Sequence, residues 1–551
     1  MSFGFWIPSM AAEPPAKISR YDVFEAELKS TATPLYANPF ADVTVAVTFT
    51  SPSGRSHTAQ GFYDGGNTWR ARFAPDEVGD WSYVSSCSDT SNSALNNQAG
   101  AFTCVPSASK GFIRVDPVRK YWFSYDDGSP FWGNGDTCYY LVNGVSLEER
   151  ARYLATRSAQ GFNFVRLHAC GKPATSPFAN GNDFDRFNLA HFQALDGLLA
   201  DLKANNMRAE VIVLYRYRES PFVDPNLWTP AREDRYVRYI VSRLAAYTHV
   251  FLWTVCNEYE VYPNNKYGDP TPEDNAWAEH VGGLLHATDP HQHPTTVHPW
   301  EQPLMDRGKL MAPRFGASPN IDVLTQQFYG DARLIDRKQN IWHGPGLQRA
   351  PAPDPARPFY IGSGEGVDRV VRLDRTSSKP VINTESSYEY YDGSNYGGWA
   401  ATDLARRQAW RVFMGGGAAH AAGFEGTIWA LKLAGTPGRS AFFLEDKGLA
   451  AQLKHRYEFI TKKTRFAEMA PAQSLVNTGN VCLANPGQEY VVYAPAGGKV
   501  ELDLSAAPGT FRVEWLNPRL GSYHGSSATN GGRRVSFNAP DTEDWVLHLT
   551  R

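Results

Sequence analysis

Two apolar runs in this 551-residue chain each end in a glutamate. Val250-Phe251-Leu252-Trp253-Thr254-Val255 leads into Cys256, Asn257 and Glu258, and Pro380-Val381-Ile382-Asn383-Thr384 ends in Glu385. An acid at the exit of a buried strand is costly to place and needs a reason. One reason is catalysis, because barrel enzymes collect their reactive groups at the C-terminal ends of strands. Two carboxyl groups flanking a scissile bond are what glycoside hydrolysis requires. One protonates the leaving oxygen, and the other attacks the anomeric carbon or activates water. Glu258 and Glu385 are the acids that each terminate a well-defined apolar strand. Glu260 and Glu389 stand further into loops and read as supporting or solvated groups. Glu425 falls inside the last predicted strand.

Other polar residues at strand ends complete a candidate rim: Asp136, Arg166, His168, Tyr215, Asn257, His298, Gln327, Tyr329 and Trp429. Arg166, in Phe-Val-Arg-Leu-His, could hold a nucleophilic carboxylate ionised. An ordinary salt bridge at a barrel mouth is the plainer use of the same residue. His168 and His298 suit sugar hydroxyls or structural hydrogen bonds. Tyr329 could donate to the nucleophile, and Trp429 could stack on a sugar ring or pack in the core. His291, His293 and His298 lie on a Pro-rich loop without metal-ligand spacing, so no metal and no cofactor are expected.

The elements that would position these groups alternate between strand-like and helical patterns from about residue 110. Strands are expected at 131–135, 164–168, 208–214, 250–255, 295–298, 323–328, 380–384 and 423–429. Ser146 followed by Glu149 is a capping box that opens a helix ending near Gly161. Thr229-Pro230 and Thr271-Pro272 open two more helices, and 402–414 is helical. Eight such units predict a (β/α)8 barrel over residues 109–468. A doubly wound open sheet would want a phosphate-binding glycine turn after its first strand. The Gly-Ser-Gly-Glu-Gly stretch at 362–366 follows no clear strand and reads as loop.

Both flanks read as β-structure. In residues 1–108, Val43, Val45, Val47 and Phe49 alternate with Thr44, Ala46, Thr48 and Thr50, and Trp69, Ala71 and Phe73 alternate with arginines. Gly- and Pro-rich turns separate these runs, as in a sandwich of immunoglobulin type. Residues 469–551 repeat this style in strands near 490–493, 500–504, 511–515, 534–537 and 545–549.

Composition narrows the partners. The net charge of −3 gives no electrostatic case for nucleic acid or an anionic membrane, and no apolar run is long enough to span a bilayer. Aromatics make up 13% of residues, which suits sugar stacking as well as large β-rich cores. The six cysteines lack CxxC spacing. Cys87 and Cys104 could pair within the first domain. The N-terminus has no basic segment, and Pro8 interrupts its apolar stretch, so it reads as no signal peptide; a cytoplasmic chain is expected, with secretion the alternative if a signal peptide has been removed. Nothing in the sequence sets an oligomeric state.

Val118–Thr137, with Lys-Tyr-Trp-Phe, Asp-Gly-Ser-Pro-Phe-Trp and Gly-Asp-Thr, resembles the opening of the apiosidase-like barrels of clan A glycoside hydrolases. Gly-Asn-Thr-Trp-Arg-Ala-Arg-Phe-Ala-Pro and Gly-Asp-Trp-Ser-Tyr resemble the immunoglobulin-like domain that precedes such barrels. The ending Asp-Trp-Val-Leu-His-Leu resembles a collagen-binding-type β-sandwich. The resemblance implies a carbohydrate substrate and a retaining mechanism, with Glu258 after Asn257 as acid/base at strand four and Glu385 as nucleophile at strand seven. Asn257 would then bind the sugar 2-hydroxyl. Neighbours on an ideal strand face opposite ways, so this pairing requires an irregular strand end. Long loops over the mouth favour exo action. A carbohydrate-binding protein without activity and an inverting hydrolase are the alternatives.

Overall fold

In the computed structural model of the protein, residues 16–551 are described apart from 33–34, 172–175, 217–221, 223, 225, 261–269, 301–309, 328–365, 387, 390–398, 401 and 429–441. Eight parallel strands form the centre: Gly133–Thr137 (β1), Phe164–His168 (β2), Arg208–Tyr215 (β3), Val250–Asn257 (β4), Thr295–Val297 (β5), Val323–Gln327 (β6), Val381–Glu385 (β7) and Ala419–Ala422 (β8). β8 pairs with both β7 and β1, which closes the ring. Every residue of β2, β4, β6 and β7 is buried. Burial on both faces is why these strands read as continuous apolar runs instead of alternating ones.

Helices Leu147–Ala159 (α1), Leu189–Ala204 (α2), Pro230–Leu244 (α3), Pro272–Thr288 (α4), Val367–Asp374 (α5), Thr402–Met414 (α6) and Leu449–Lys463 (α7) pack around the ring. The Ser146 and Glu149 side chains exchange backbone hydrogen bonds at the start of α1, so the capping box forms. Thr271 and Asp274 do the same at α4, with Pro272 in its first turn. Each cap contributes about 1 kcal/mol and fixes where its helix starts.

Three expectations shift. The first strand runs 133–137, because Phe131 pairs instead with Phe123 in a small antiparallel sheet. Asp136 is therefore inside β1 and not at its exit. The eighth strand is Ala419–Ala422 and not 423–429. It packs at close quarters: a Cβ on Gly133 would lie 2.6 Å from that of Ala419, and one on Gly135 would lie 2.3 Å from the Phe164 ring. Small residues are what let the ring close there. Finally, Gly366 is not simply loop. It takes a left-handed φ of 92° and caps α5.

The N-terminal region is a two-sheet β-sandwich, with five strands in one sheet and three in the other. Its core holds Phe24, Phe49, Trp69, Phe73, Trp81 and Phe102. Cys87 and Cys104 are both buried and free, so the possible disulfide does not form. The sandwich meets the barrel through buried charge: Arg72 pairs with Asp196 at 2.9 Å, and Arg243 with Asp64 at 2.9 Å and Asp196 at 2.7 Å. The C-terminal region packs a six-stranded sheet against a two-stranded one. It docks on α6, where Arg406 pairs with Asp544 at 2.9 Å and Trp410 stacks on Tyr493. Asp403, Glu543 and Asp544 approach one another at this junction, and Arg406 and Arg407 neutralise them.

Candidate active site

The mouth of the barrel is organised around one guanidinium. Arg166, on β2, is fully buried. Its Nη1 donates to Glu385 Oε2 at 2.9 Å and to the Tyr139 hydroxyl at 2.7 Å, and its Nη2 donates to Asn257 Oδ1. The Tyr139 hydroxyl in turn donates to Glu385 Oε2 at 2.7 Å. One oxygen of Glu385 thus accepts two hydrogen bonds, one of them from a cationic donor. The Tyr388 hydroxyl lies 3.4 Å from that of Tyr139.

Glu258 follows β4 with φ 47°, a left-handed conformation unusual for a side-chain-bearing residue. The irregular strand end required by adjacent Asn257 and Glu258 is therefore present, and strained backbone of this kind gathers at working sites. Gln327, at the end of β6, donates from Nε2 to Glu258 Oε1 at 2.8 Å. Both Glu258 and Glu385 raise the Tyr139 phenol electrostatically, behind the dominant effect of burial, so both carboxyls act on the same point of the mouth.

His168 and His298 are buried beside this group. His168 stacks on Tyr215 and tilts against Tyr139, each at 4.8 Å between ring centres. His298 Nε2 is 3.8 Å from Glu385 Oε2. Burial holds both imidazoles neutral, and the charge of Arg166 adds to the effect. Glu260, two residues past Glu258, is fully buried and accepts the Trp300 N–H at 2.8 Å. Burial pushes its carboxyl up to about 8. Glu389 accepts from the Thr402 hydroxyl and from the Lys447 N–H, which ties the segment after β7 to the start of α7. Glu425 is buried just beyond β8.

Of the residues singled out in the sequence, Arg166, Asn257, Glu385 and His298 come together directly. Gln327 joins them through Glu258, and His168 through Tyr139. Asp136 is held elsewhere: its carboxylate takes Arg157 at 2.6 Å and the Tyr153 hydroxyl at 2.9 Å, both from α1 behind the wall. His291 and His293 are also away from the mouth. His291 stacks between Phe73 and Phe112, and His293 pairs with Asp289 at 2.7 Å. Tyr329 and Trp429 lie outside the described residues. Sequence reasoning missed Tyr139, Tyr388 and Glu210. The first two follow strand ends with no distinguishing spacing. Glu210 had a signal, an acid inside the otherwise apolar β3 run.

A closed parallel barrel gathering carboxyls around a buried arginine at its C-terminal mouth is the frame of an O-glycosyl hydrolase acting on carbohydrate. Residues 118–462 match the apiosidase-like catalytic domain, and the chain belongs to that family. Residues 17–88 match a domain of unknown function (DUF5060), and residues 470–550 a "putative collagen-binding domain of a collagenase". Among solved structures, a "putative glycoside hydrolase" from Bacteroides vulgatus ATCC 8482 is 21% identical. That match covers 97% of this chain and 99% of the other, with a TM-score of 0.72. A glycoside hydrolase family 5 structure from the same organism is 17% identical over 80% of this chain and 94% of that one, with a TM-score of 0.63. At these identities the likeness is one of fold. No curated protein matches the chain. Among the described residues, no helix is long and apolar enough to cross a membrane.

Proposed function

We propose that the protein is a retaining, exo-acting glycoside hydrolase in which Glu385 is the nucleophile and Glu258 the acid/base. The observation that carries this reading is the single guanidinium of Arg166, which engages Glu385 and Asn257 together, with Glu258 next in the chain. In the first step the Glu385 carboxylate attacks the anomeric carbon. The bond to the leaving oxygen breaks as Glu258 gives that oxygen a proton. In the second step Glu258 takes a proton from water, the water oxygen attacks the anomeric carbon, and Glu385 departs as carboxylate.

The surroundings suit these roles. Arg166 and Tyr139 hold one oxygen of Glu385 and aim its carboxyl, while Gln327 orients Glu258. Asn257 is placed to take the sugar 2-hydroxyl. The neutral imidazoles of His168 and His298 serve other hydroxyls, as donor or acceptor. We read the N-terminal sandwich as immunoglobulin-like and as a support for the barrel.

A panel of aryl glycosides, furanosides included, tests the assignment with wild type and Glu385→Ala. Wild type is expected to release the aryl alcohol from at least one substrate, with kcat reduced at least about 1,000-fold in the variant. Equal rates in the two proteins would overturn the role of Glu385.

A further inference from the structure

Glu210 has no part in a two-carboxylate scheme, yet it lies inside the barrel at the level of Arg166. The register of β2 with β3 sets Arg166 directly beside it. Glu210 is fully buried, with Oε1 3.3 Å from Arg166 Nε and accepting from the Thr254 hydroxyl at 2.8 Å. The Nε contact is an ion pair and not an aligned hydrogen bond. The guanidinium is thus divided among neighbours: Nε toward Glu210, Nη1 toward Tyr139 and Glu385, Nη2 toward Asn257. A planar fork fixed on its Nε edge keeps little freedom in where its two remaining nitrogens point.

We infer that Glu210 is a positioning residue of the site: its carboxylate anchors the Nε edge of Arg166, aims the other two nitrogens at Glu385 and Asn257, and shares the guanidinium charge with Glu385. The inference deepens the nucleophile assignment above and rests on it. A nucleophilic carboxylate must be ionised, but a full unshared cation would stabilise it at the expense of its reactivity. A second carboxylate on the same cation tempers that field. Burial pushes the Glu210 carboxyl up, and Arg166 with the Thr254 and Thr384 hydroxyls pulls it back. The other titratable groups facing Arg166 among the described residues are Tyr139, Tyr388, Glu385, His168 and His298.

The test uses the full chain and an aryl glycoside that wild type hydrolyses. Glu210→Gln keeps the volume and an acceptor for Thr254 but removes the charge. We expect kcat to fall about 10-fold with KM within about 2-fold. The acid limb of kcat/KM should move to lower pH, since a negative charge has left the side of Arg166. Glu210→Asp keeps the charge on a shorter stem, so its acid limb should stay in place while kcat falls. A folded Glu210→Gln with wild-type kcat and acid limb overturns the inference, as does wild-type kcat in Glu210→Asp. Glu385→Ala is run alongside. Full activity there overturns the nucleophile assignment and this inference with it. An inactive Glu385→Ala beside an unaltered Glu210→Gln overturns the inference alone.

Discussion

Replacing Arg166 by methionine removes one buried cation from between two buried carboxylates. Glu385 and Glu210 stand 2.9 and 3.3 Å from the guanidinium in wild type. At an effective dielectric of about 20, each such contact is worth roughly 5–6 kcal/mol of attraction, offset by the desolvation already incurred. Breaking a buried pair on one side costs about 3–5 kcal/mol, because the surviving charge is left uncompensated. The loss depends on pH. Burial already holds the Glu210 carboxyl above its ordinary value, and without Arg166 it rises further. A carboxyl raised in the folded state keeps a proton that the unfolded chain has released. Its stabilising contribution is complete below the unfolded value, about 4.3, and is lost as pH climbs toward the folded value. Arg166→Met should therefore cost the full 3–5 kcal/mol at about pH 7.5 and no more than about 2 kcal/mol near pH 4.5. Urea unfolding followed by tryptophan fluorescence, wild type against variant at each pH, measures the difference. Adding Glu210→Gln and Glu385→Gln removes every charge of the cluster and should restore most of the loss at pH 7.5. An equal penalty at both pH values, or no recovery in the triple variant, would refute the reasoning.

Three further outcomes follow from the same physics. Glu260→Gln replaces a carboxyl held at about 8 by a neutral isostere; it should gain about 4 kcal/mol over wild type at pH 8 and under about 1 kcal/mol at pH 4.5, and coincident urea curves at pH 8 would contradict this. Gly135→Ala drives a methyl to 2.3 Å from the Phe164 ring, so it should lower stability by about 1–3 kcal/mol; an unchanged melting temperature would count against the close packing of β1 and β2. Asp544→Ala strips Arg406 and Tyr493 of their common acceptor and should destabilise docking of the C-terminal sandwich by about 3–5 kcal/mol. Limited proteolysis between α7 and that sandwich should accelerate, while kcat of the folded protein stays at the wild-type value.

Much of the barrel was legible because its strands are buried on both faces and its helices open with explicit caps. β4 and β7 ended where their apolar runs stopped, and Ser146, Thr271 and Pro272 marked helix starts. The small-residue strand β8, Ala-His-Ala-Ala, was not legible. Tight closure against Gly133 selects size there and leaves no hydrophobic signal, while Phe424 and Ile428 just beyond it imitate a strand. Tyr523–Asn530 was hidden for the opposite reason: it is an exposed polar strand that pairs on one side only. At the barrel mouth, Glu258, Asn257, Arg166 and Glu385 stand out in the sequence by their position toward strand ends. Tyr139 reaches Glu385 from beyond β1 by tertiary packing alone, which no local pattern encodes. Asp136 looked like a rim acid only while its strand was drawn two residues early.

In the proposed reaction Glu385 attacks the sugar. A 2-deoxy-2-fluoro derivative of the glycoside hydrolysed by wild type, carrying an activated leaving group, slows the second step and lets a covalent intermediate accumulate. Peptide mapping by mass spectrometry then locates the sugar. One equivalent of fluoroglycosyl ester is expected on Glu385, absent in Glu385→Ala. A label on any other residue, or turnover by inversion of anomeric configuration with no label, would contradict it.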